Sequence, residues 1–169
     1  MKKYEQVSMS KLKKYFKIQK EKSLFKLTSS NRDSPIYIQI PFLLDEDVAS
    51  LAGLMPDGSL IKDLMRVYFH QEKDISKIYL FMRLIKSLFK PKSNIFYEEK
   101  KDHVRTYVNS KALARFFYYL LQIPKSDEQM RVPPWVFKSP ESAKIAYLKE
   151  AFDMEGTISK RLHEIRFVS

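Results

Sequence analysis

Residues 50–60 read SLAGLMPDGSL, and this stretch recurs in altered form at residues 148–159 as LKEAFDMEGTIS. Each copy is an apolar run of helical character that ends in an acidic residue followed by glycine. The two acids, Asp57 and Glu155, are separated by 98 positions, which is about the length of a small domain. The helix dipole disfavours a carboxylate at a helix C-terminus, so this placement needs a specific reason. The two copies therefore indicate an internal repeat.

The periodicity of apolar residues predicts alternating helices and hairpins between the two copies. The expected elements are a strand at residues 36–40, a helix at residues 46–55 capped by Asp45 and ended by Pro56, a hairpin at residues 61–70 turning at 63–64, a helix at residues 73–89, a hairpin at residues 95–109 turning at 100–103, and a helix at residues 112–122.

The same periodicity predicts which side chains face the core. In the first hairpin these are Ile61, Met65, Val67 and Phe69. In the following helix they are Ile75, Ile78, Tyr79, Met82, Ile85 and Phe89. In the second hairpin they are Val104, Thr106 and Val108.

The segment between the last of these helices and the second copy reads as a polar linker, with Trp135 as an anchor in the core. Ser139, Pro140 and Glu141 provide a cap, a first-position proline and an early acid, which predict a helix that begins there. Residues 158–168 alternate well enough to predict one more strand.

The charge is strongly positive and unevenly placed, at +11 for 169 residues. Residues 1–26 hold nine lysines against two glutamates. Within residues 9–27, apolar side chains fall among lysines at roughly helical spacing, so a basic amphipathic helix is expected. Its lysines either grip phosphates or stand in water while the helix packs on the body. A basic balance of this size favours a polyanionic partner, although solvated surfaces of a lysine-rich protein give the same total.

Several classes of protein are disfavoured by composition. The chain has no cysteine, which excludes disulfides and thiolate metal sites. The three histidines lack close metal spacing, and no glycine-rich phosphate loop or nucleophile motif is present. No apolar run approaches the length of a membrane span and no signal-type segment begins the chain, so no membrane partner is expected and a cytoplasmic location is favoured.

The two acid-glycine copies, together with PIYIQIPFLLDEDVASLAGL, VNSKALARFFYYLLQIP and VPPWVFKSPESAKIAYLKEAFDMEG, resemble the LAGLIDADG family of homing endonucleases and intein nucleases. The likeness covers roughly residues 35–169. It implies an α+β fold built on an αββαββα unit, whose curved antiparallel sheet lies over DNA, followed by the start of a second repeat. The implied organisation is a basic helical extension and loop at residues 1–34, a first repeat at 35–124, a linker at 125–138 and a truncated second repeat at 139–169.

The resemblance also implies a catalytic site where two motif helices pack side by side. Asp57 and Glu155 match the family's acids, so both are candidate catalytic residues and ligands of Mg²⁺. Two departures bear on activity. The first copy is one residue short and places Pro56 in its last turn, which rotates Asp57 by about 100° on a helix unless the proline turn compensates. In the second copy, Glu150 and Met154 replace small close-contact residues, and we expect them to separate the helices or to bury an unpaired charge.

The polar faces of the two hairpins and of the last strand form the candidate nucleic-acid surface. Strands laid in a major groove present such side chains to phosphates and base edges. The alternative is the solvated face of a half-covered antiparallel sheet. The candidate residues are Lys62, Arg66, Tyr68, His70, Arg105, Tyr107, Arg161 and Arg166.

Three functions follow as hypotheses. The first is site-specific binding of double-stranded DNA with Mg²⁺-dependent phosphodiester cleavage, as in intein- or intron-encoded nucleases. The second is a catalytically inactive module that binds DNA or RNA, with a regulatory or intron-processing role. The third is a decayed fragment without a nucleic-acid role. A homodimer could complete the truncated second repeat.

Overall fold

In a computed structural model, the protein is described at residues 3–61, 63–72, 74–125, 131–159 and 164–167, with side chains described through residue 154. It is an α+β protein, and every strand pairing within the described ranges is antiparallel. The α+β fold class is therefore confirmed.

A four-stranded sheet lies at the centre of the fold, with the strand order β6-β7-β9-β8. Its strands are β6 (Gly58–Leu60), β7 (Val67–Gln71), β8 (Ile95–Lys100) and β9 (His103–Val108). Both predicted hairpins are present, and the second turns at residues 101–102. Val67, Phe69, Thr106 and Val108 are buried on the face toward the helices, as the alternation predicts.

The first hairpin departs from the prediction at its loop. Ile61 and Met65 were expected in the core, but they are 40% and 50% exposed. They lie in the connection between β6 and β7, where the strand alternation no longer applies. Leu64 adopts a positive φ of 54°, and its side chain is buried.

The helices between residues 46 and 120 are α2 (Glu46–Leu54), α3 (Ile75–Phe89) and α4 (Lys111–Arg115), which continues as a π-helix at Phe116–Leu120. Asp45 caps α2 by accepting a hydrogen bond from the Val48 amide at 3.2 Å, as predicted. A 3₁₀ turn at Met55–Asp57 contains Pro56 and follows α2 directly. The order α2, β6, β7, α3, β8, β9, α4 is that of an αββαββα unit.

The buried stripe of α3 is rotated from the predicted one. Ile78, Ile85 and Phe89 are buried as expected, but Ile75 and Tyr79 are exposed. Phe81, Leu84 and Lys77 are buried instead. Phe81 stacks on Phe69 of β7 with ring centroids 4.9 Å apart, so packing against the sheet decides which face of α3 turns inward.

The N-terminal segment is not the single amphipathic helix predicted at residues 9–27. Helix α1 (Met9–Tyr15) is followed by a hairpin of β2 (Lys17–Glu21) and β3 (Leu24–Thr28). Strand β3 also pairs with β4 (Ile36–Ile38). This pairing satisfies the backbone groups of β3, and Leu27 of this strand is fully buried. A short pairing of β1 (Gln6–Val7) with β5 (Phe42–Leu43) attaches the start of the chain to the same body.

The C-terminal part begins with α5 (Pro134–Lys138), within the segment predicted as a linker, and continues with α6 (Glu141–Glu155). Trp135 is buried, as predicted, and its indole N–H donates to the Leu121 carbonyl at 3.0 Å. The Ser139 hydroxyl donates to the Trp135 carbonyl at 3.0 Å. The single strand predicted at residues 158–168 is wrong, because β10 (Gly156–Ser159) pairs with β11 (Glu164–Phe167) as an antiparallel hairpin.

The helices of the described part of the chain were compared with the requirements of a membrane span. None of them is both long enough and apolar enough to cross a bilayer.

Candidate nucleic-acid interface

The side of the central sheet away from the buried residues carries most of the candidate binding residues. In the register of β7 and β9, Tyr68 lies opposite Tyr107 and His70 lies opposite Arg105. Because residues opposite each other project from the same side of a sheet, these four side chains share one surface. We call this surface, together with Arg66 at the start of β7, the open face.

Aromatic rings form a row across the open face. The rings of Tyr68 and Tyr107 lie 6.4 Å apart at an interplanar angle of 14°, and Phe96 of β8 stacks on Tyr107 at 4.9 Å and 14°. The guanidinium carbon of Arg66 lies 4.4 Å from the centre of the Tyr107 ring. Phe96 was not among the predicted residues, and the register of β8 against β9 places it opposite Tyr107.

The Glu98 carboxylate holds Arg105 and Tyr107 in place on the open face. Glu98 accepts hydrogen bonds from Arg105 Nε at 2.6 Å and from the Tyr107 hydroxyl at 3.0 Å. The Arg105 hydrogen bond, followed by that of Tyr107, lowers the pKa of Glu98 below its usual value. The same bond from Tyr107 to Glu98 raises the pKa of the Tyr107 phenol. Arg105 also donates to the Tyr68 hydroxyl at 3.3 Å, so these side chains are held in one arrangement before any ligand arrives.

Three predicted binding residues are not characterised by these contacts. Lys62 and Arg161 lie outside the described residues. Arg166 pairs with Thr157 in the terminal hairpin, and its side chain lies outside the described part. The structure thus brings together Arg66, Tyr68, His70, Arg105 and Tyr107 of the predicted set.

The two acid-glycine segments meet at the end of the helix layer. Helices α2 and α6 are in close contact at Gly53. A Cβ atom there would lie 2.5 Å from the Tyr147 carbonyl oxygen and 3.0 Å from the Glu150 Cβ. The side-by-side packing of the motif helices is therefore confirmed. We call the end of this pair that carries Asp57 and Glu155 the helix foot.

Gln71 connects the two halves of the helix foot. Its side chain is buried, and its amide donates to the Asp57 carboxylate and, at 3.2 Å, to the sulfur of Met154. The 3₁₀ turn thus places Asp57 beside the last turn of α6 despite the missing residue in the first copy. Gln71 was not predicted. Its position at the end of β7, fourteen residues after Asp57, is a signal only once the hairpin register is known.

The expected separation of the motif helices, or burial of an unpaired charge, is wrong. Glu150 is buried, but Lys77 of α3 donates to its carboxylate at 2.6 Å and to that of Asp153 at 2.6 Å. Burial by itself lowers the pKa of Lys77, but the hydrogen bonds and charges of Asp153 and Glu150 outweigh it, so the pKa is raised above the ordinary value. The charge of Lys77, on a third helix, therefore compensates the buried charge of Glu150, which stands where the family has a small residue.

The carboxylate at the helix foot is one of the ligands that a hard divalent cation requires. Asp57 supplies carboxylate oxygens, the ligand type that Mg²⁺ prefers. Glu155 is the last residue of α6, and its side chain lies outside the described part. Among the described residues, no group of three or more His, Cys, Asp or Glu side chains is arranged to hold a metal ion.

Comparison with known proteins gives a likeness of fold only. No protein-family model matches the sequence, and no curated protein matches it. Among solved structures, the chain is similar to I-DmoI in complex with DNA and Mn, at 22% identity over 73% of this chain and 68% of that chain, with a TM-score of 0.49. A structure of mesophilic variants of the homing endonuclease I-DmoI gives the same values. I-DmoI in complex with DNA and Ca gives 21% identity, 73% and 63% coverage, and a TM-score of 0.46.

Proposed function

We propose that the protein binds double-stranded DNA across the open face of its central sheet. The observation that supports this proposal best is the row of stacked rings with arginines on the same surface, described above. Arg66 and Arg105 can donate to phosphate oxygens or to guanine edges in the major groove. The net charge of +11 adds a long-range attraction for a polyanion.

The open face is suited to ordered recognition because its side chains are already held in place. Arg66 is stacked and Arg105 is fixed by Glu98 and Tyr68, so less side-chain entropy is lost on binding. Glu98 reduces the positive potential near Arg105 and would disfavour a phosphate placed directly against that carboxylate. We therefore assign phosphate contact mainly to Arg66, and contact with base edges to Arg105 and Tyr107.

The finer proposal is that the helix foot cleaves a phosphodiester bond of the bound duplex. Asp57 and Glu155 would hold the metal, and their places in the turn that follows α2 and at the last position of α6 support this assignment. Mg²⁺ held by these residues would supply activation of a water molecule and stabilisation of the charge that develops at phosphorus. Gln71 would orient the Asp57 carboxylate through its hydrogen bond, and Lys77 would hold the last turn of α6 beside it.

A second candidate function is a module that binds DNA or RNA without cutting it. The observation that favours it is that side chains of the protein itself already donate hydrogen bonds to the carboxylates near the helix foot. Gln71 donates to Asp57, and Lys77 engages both Glu150 and Asp153. Carboxylates that are already satisfied in this way contribute less to cation binding than carboxylates that face water.

A further part of the proposal concerns a second copy of the chain. The outer face of α6 carries Ile145 and Leu148, which are 58% and 51% exposed. Their counterparts in the first copy, Val48 and Leu51, are fully buried. An antiparallel pairing of two α6 helices centred on Ile145 would bury this stripe and set Glu141 opposite the partner's Lys149. Opposite charges in this pairing favour a homodimer.

DNA binding is tested by fluorescence anisotropy with duplexes selected from a randomised pool. If about six cations contact phosphates, log affinity falls with log salt at a slope of roughly −5. Arg66→Gln with Arg105→Gln should weaken binding and reduce this slope by about 1, because Arg66 is the phosphate contact of the pair and Arg105 is assigned to base edges. The matched control, Arg83→Gln with Lys86→Gln on the exposed side of α3, should leave both unchanged. Equal losses in the two variants would show that the open face has no special role.

Cleavage is tested on a plasmid that contains a selected, bound sequence. The nuclease hypothesis expects nicking in Mg²⁺ or Mn²⁺ that is lost in Asp57→Asn and in Glu155→Gln, while both variants retain binding. Binding that is identical in all three proteins, without nicking in either metal, would support the non-cutting module instead.

A further inference from the structure

Two clefts lined by cations extend from the edge of the open face toward the N-terminal hairpin. The first has a volume of about 630 Å³, and its lining includes Arg32, Arg66 and Lys111. The second has a volume of about 450 Å³, and its lining includes Lys17 and Lys26 of the β2–β3 hairpin. None of these residues except Arg66 belongs to the predicted binding set.

The clefts and the open face form one continuous surface. Arg66 lines the first cleft while its guanidinium stacks on Tyr107 of the open face. Ser30 lines both clefts, so the second begins where the first ends. A ligand that leaves the open face past Arg66 therefore follows cationic side chains as far as the N-terminal hairpin.

The hairpin register collects polar donors on one side of the second cleft. Gln19 lies opposite Lys26 and Lys17 lies opposite Thr28, so these four side chains share one face of the hairpin. Lys17 also donates to the Asn31 side-chain oxygen at 2.8 Å, which ties the hairpin to the loop that carries Ser30. A single helix over this segment would have spread the lysines around its axis.

Two acidic residues near the clefts, Asp33 and Glu21, are engaged by neighbouring donors. Asp33 accepts from the Ser29 hydroxyl at 2.7 Å, from the Ser29 amide at 3.3 Å and from the Lys111 amide at 3.0 Å. Its carboxylate therefore organises the backbone of the first cleft. Glu21 forms an ion pair with Lys26 at 3.3 Å, in which both side chains are about one-third exposed. Exposed pairs of this kind contribute little free energy, so contact of Lys26 with a phosphate would cost little.

We infer that these two clefts bind the sugar-phosphate backbone of the DNA that flanks the segment under the open face. This inference rests on the proposed DNA binding. Lysines, arginines and hydroxyl or amide donors without a deep apolar pocket are the groups that contact phosphates and sugars. Such contacts carry no base information, so this surface adds affinity and extends the footprint without changing the sequence preference.

The test compares the wild-type chain with the triple variant Lys17→Gln, Lys26→Gln, Arg32→Gln. Anisotropy is measured as a function of NaCl with a long selected duplex and with a short one confined to the core site. The matched control is Arg83→Gln, Lys86→Gln, Lys138→Gln, which removes the same charge from exposed positions that line neither cleft. Circular dichroism checks that each variant is folded.

The triple variant is expected to lose affinity for the long duplex by tenfold or more and to reduce its salt slope by about 3. It should bind the short duplex like wild type and keep the same preference among sequences. If the triple variant binds the long duplex with wild-type affinity and salt slope while the open-face variant still loses binding, the inference is overturned and the proposed function stands. Failure of the wild-type chain to bind any duplex at low salt would overturn both.

Discussion

Replacement of Lys77 by methionine is expected to destabilise the fold strongly, although Lys77 lies outside the apolar core. The change removes the ammonium that engages Glu150 and Asp153 and keeps a side chain of similar length. The Glu150 side chain is only 4% exposed, whereas that of Asp153 is 44% exposed. The loss therefore comes mainly from Glu150, whose carboxylate would remain buried without its main partner.

The size of the effect follows from this difference in burial. Removing one partner of a buried ion pair costs about 3 to 5 kcal/mol, whereas an exposed pair contributes about 1 kcal/mol or less. Lys149 lies 3.8 Å from Glu150, but its side chain is 70% exposed and provides little compensation. For a domain of this length, the expected loss corresponds to a decrease of about 6 to 20 °C in Tm.

The assay is urea unfolding followed by the fluorescence of Trp135, the single tryptophan of the chain. Its buried indole is hydrogen-bonded to the Leu121 carbonyl, so unfolding changes its surroundings. Asp153→Asn should cost about 1 kcal/mol or less. Lys77→Met combined with Glu150→Met should recover most of the stability, because two apolar side chains of similar volume replace the buried pair.

Two results would refute this reasoning. One is a cost below about 1 kcal/mol for Lys77→Met, since that value belongs to an exposed pair. The other is a double variant as unstable as the sum of its two single variants, which would show that the carboxylate and the ammonium act independently.

Three further predictions follow. Gly53→Ala should lower the free energy of unfolding by about 1 to 3 kcal/mol, because the new Cβ would meet the backbone of α6. Gly58→Ala should lower it less, because its Cβ would meet mainly the flexible Met55 side chain, and urea unfolding measures both changes. The folded-state pKa of Lys77 is raised above 10.5, so the stability that its charge contributes is complete below that pH and is lost as the pH rises through the folded value. The difference in unfolding free energy between wild type and Lys77→Met should therefore be constant from about pH 7 to 9 and shrink in strong alkali. Ile145→Glu with Leu148→Glu should convert a dimer to a monomer in analytical ultracentrifugation while Tyr79→Glu does not; a wild-type chain that is monomeric at about 100 μM would contradict the pairing of α6 helices.

The sequence predicted the elements well wherever a local pattern was strong. The cap at Asp45, the two hairpins of the central sheet and the start of the second motif helix all follow from short-range rules on capping and alternation. Prediction failed where partners distant in the chain decide the outcome. The segment at residues 17–28 has apolar residues that suit either a helix or a hairpin, and pairing with β4 selects the hairpin.

The candidate site shows the same division. Alternation along β7 and β9 was enough to place Tyr68, His70, Arg105 and Tyr107 on one surface. It could not supply Phe96 or Glu98, because their positions opposite Tyr107 and Arg105 depend on the register of β8. It also could not supply Lys77, since periodicity treats a lysine on a helix as solvated and has no information about the carboxylates of α6.

The sequence by itself determined that two acid-glycine segments end two helices and that basic and aromatic residues alternate with apolar ones in the strands between them. These features depend on spacing along the chain, which fixes the face of a helix or strand on which each residue lies. Only the tertiary structure decided that Glu150 would be compatible with close helix packing, because its partner Lys77 is 73 positions away. Charge compensation and register depend on distances across the fold, and those distances are set by the packing of all elements together.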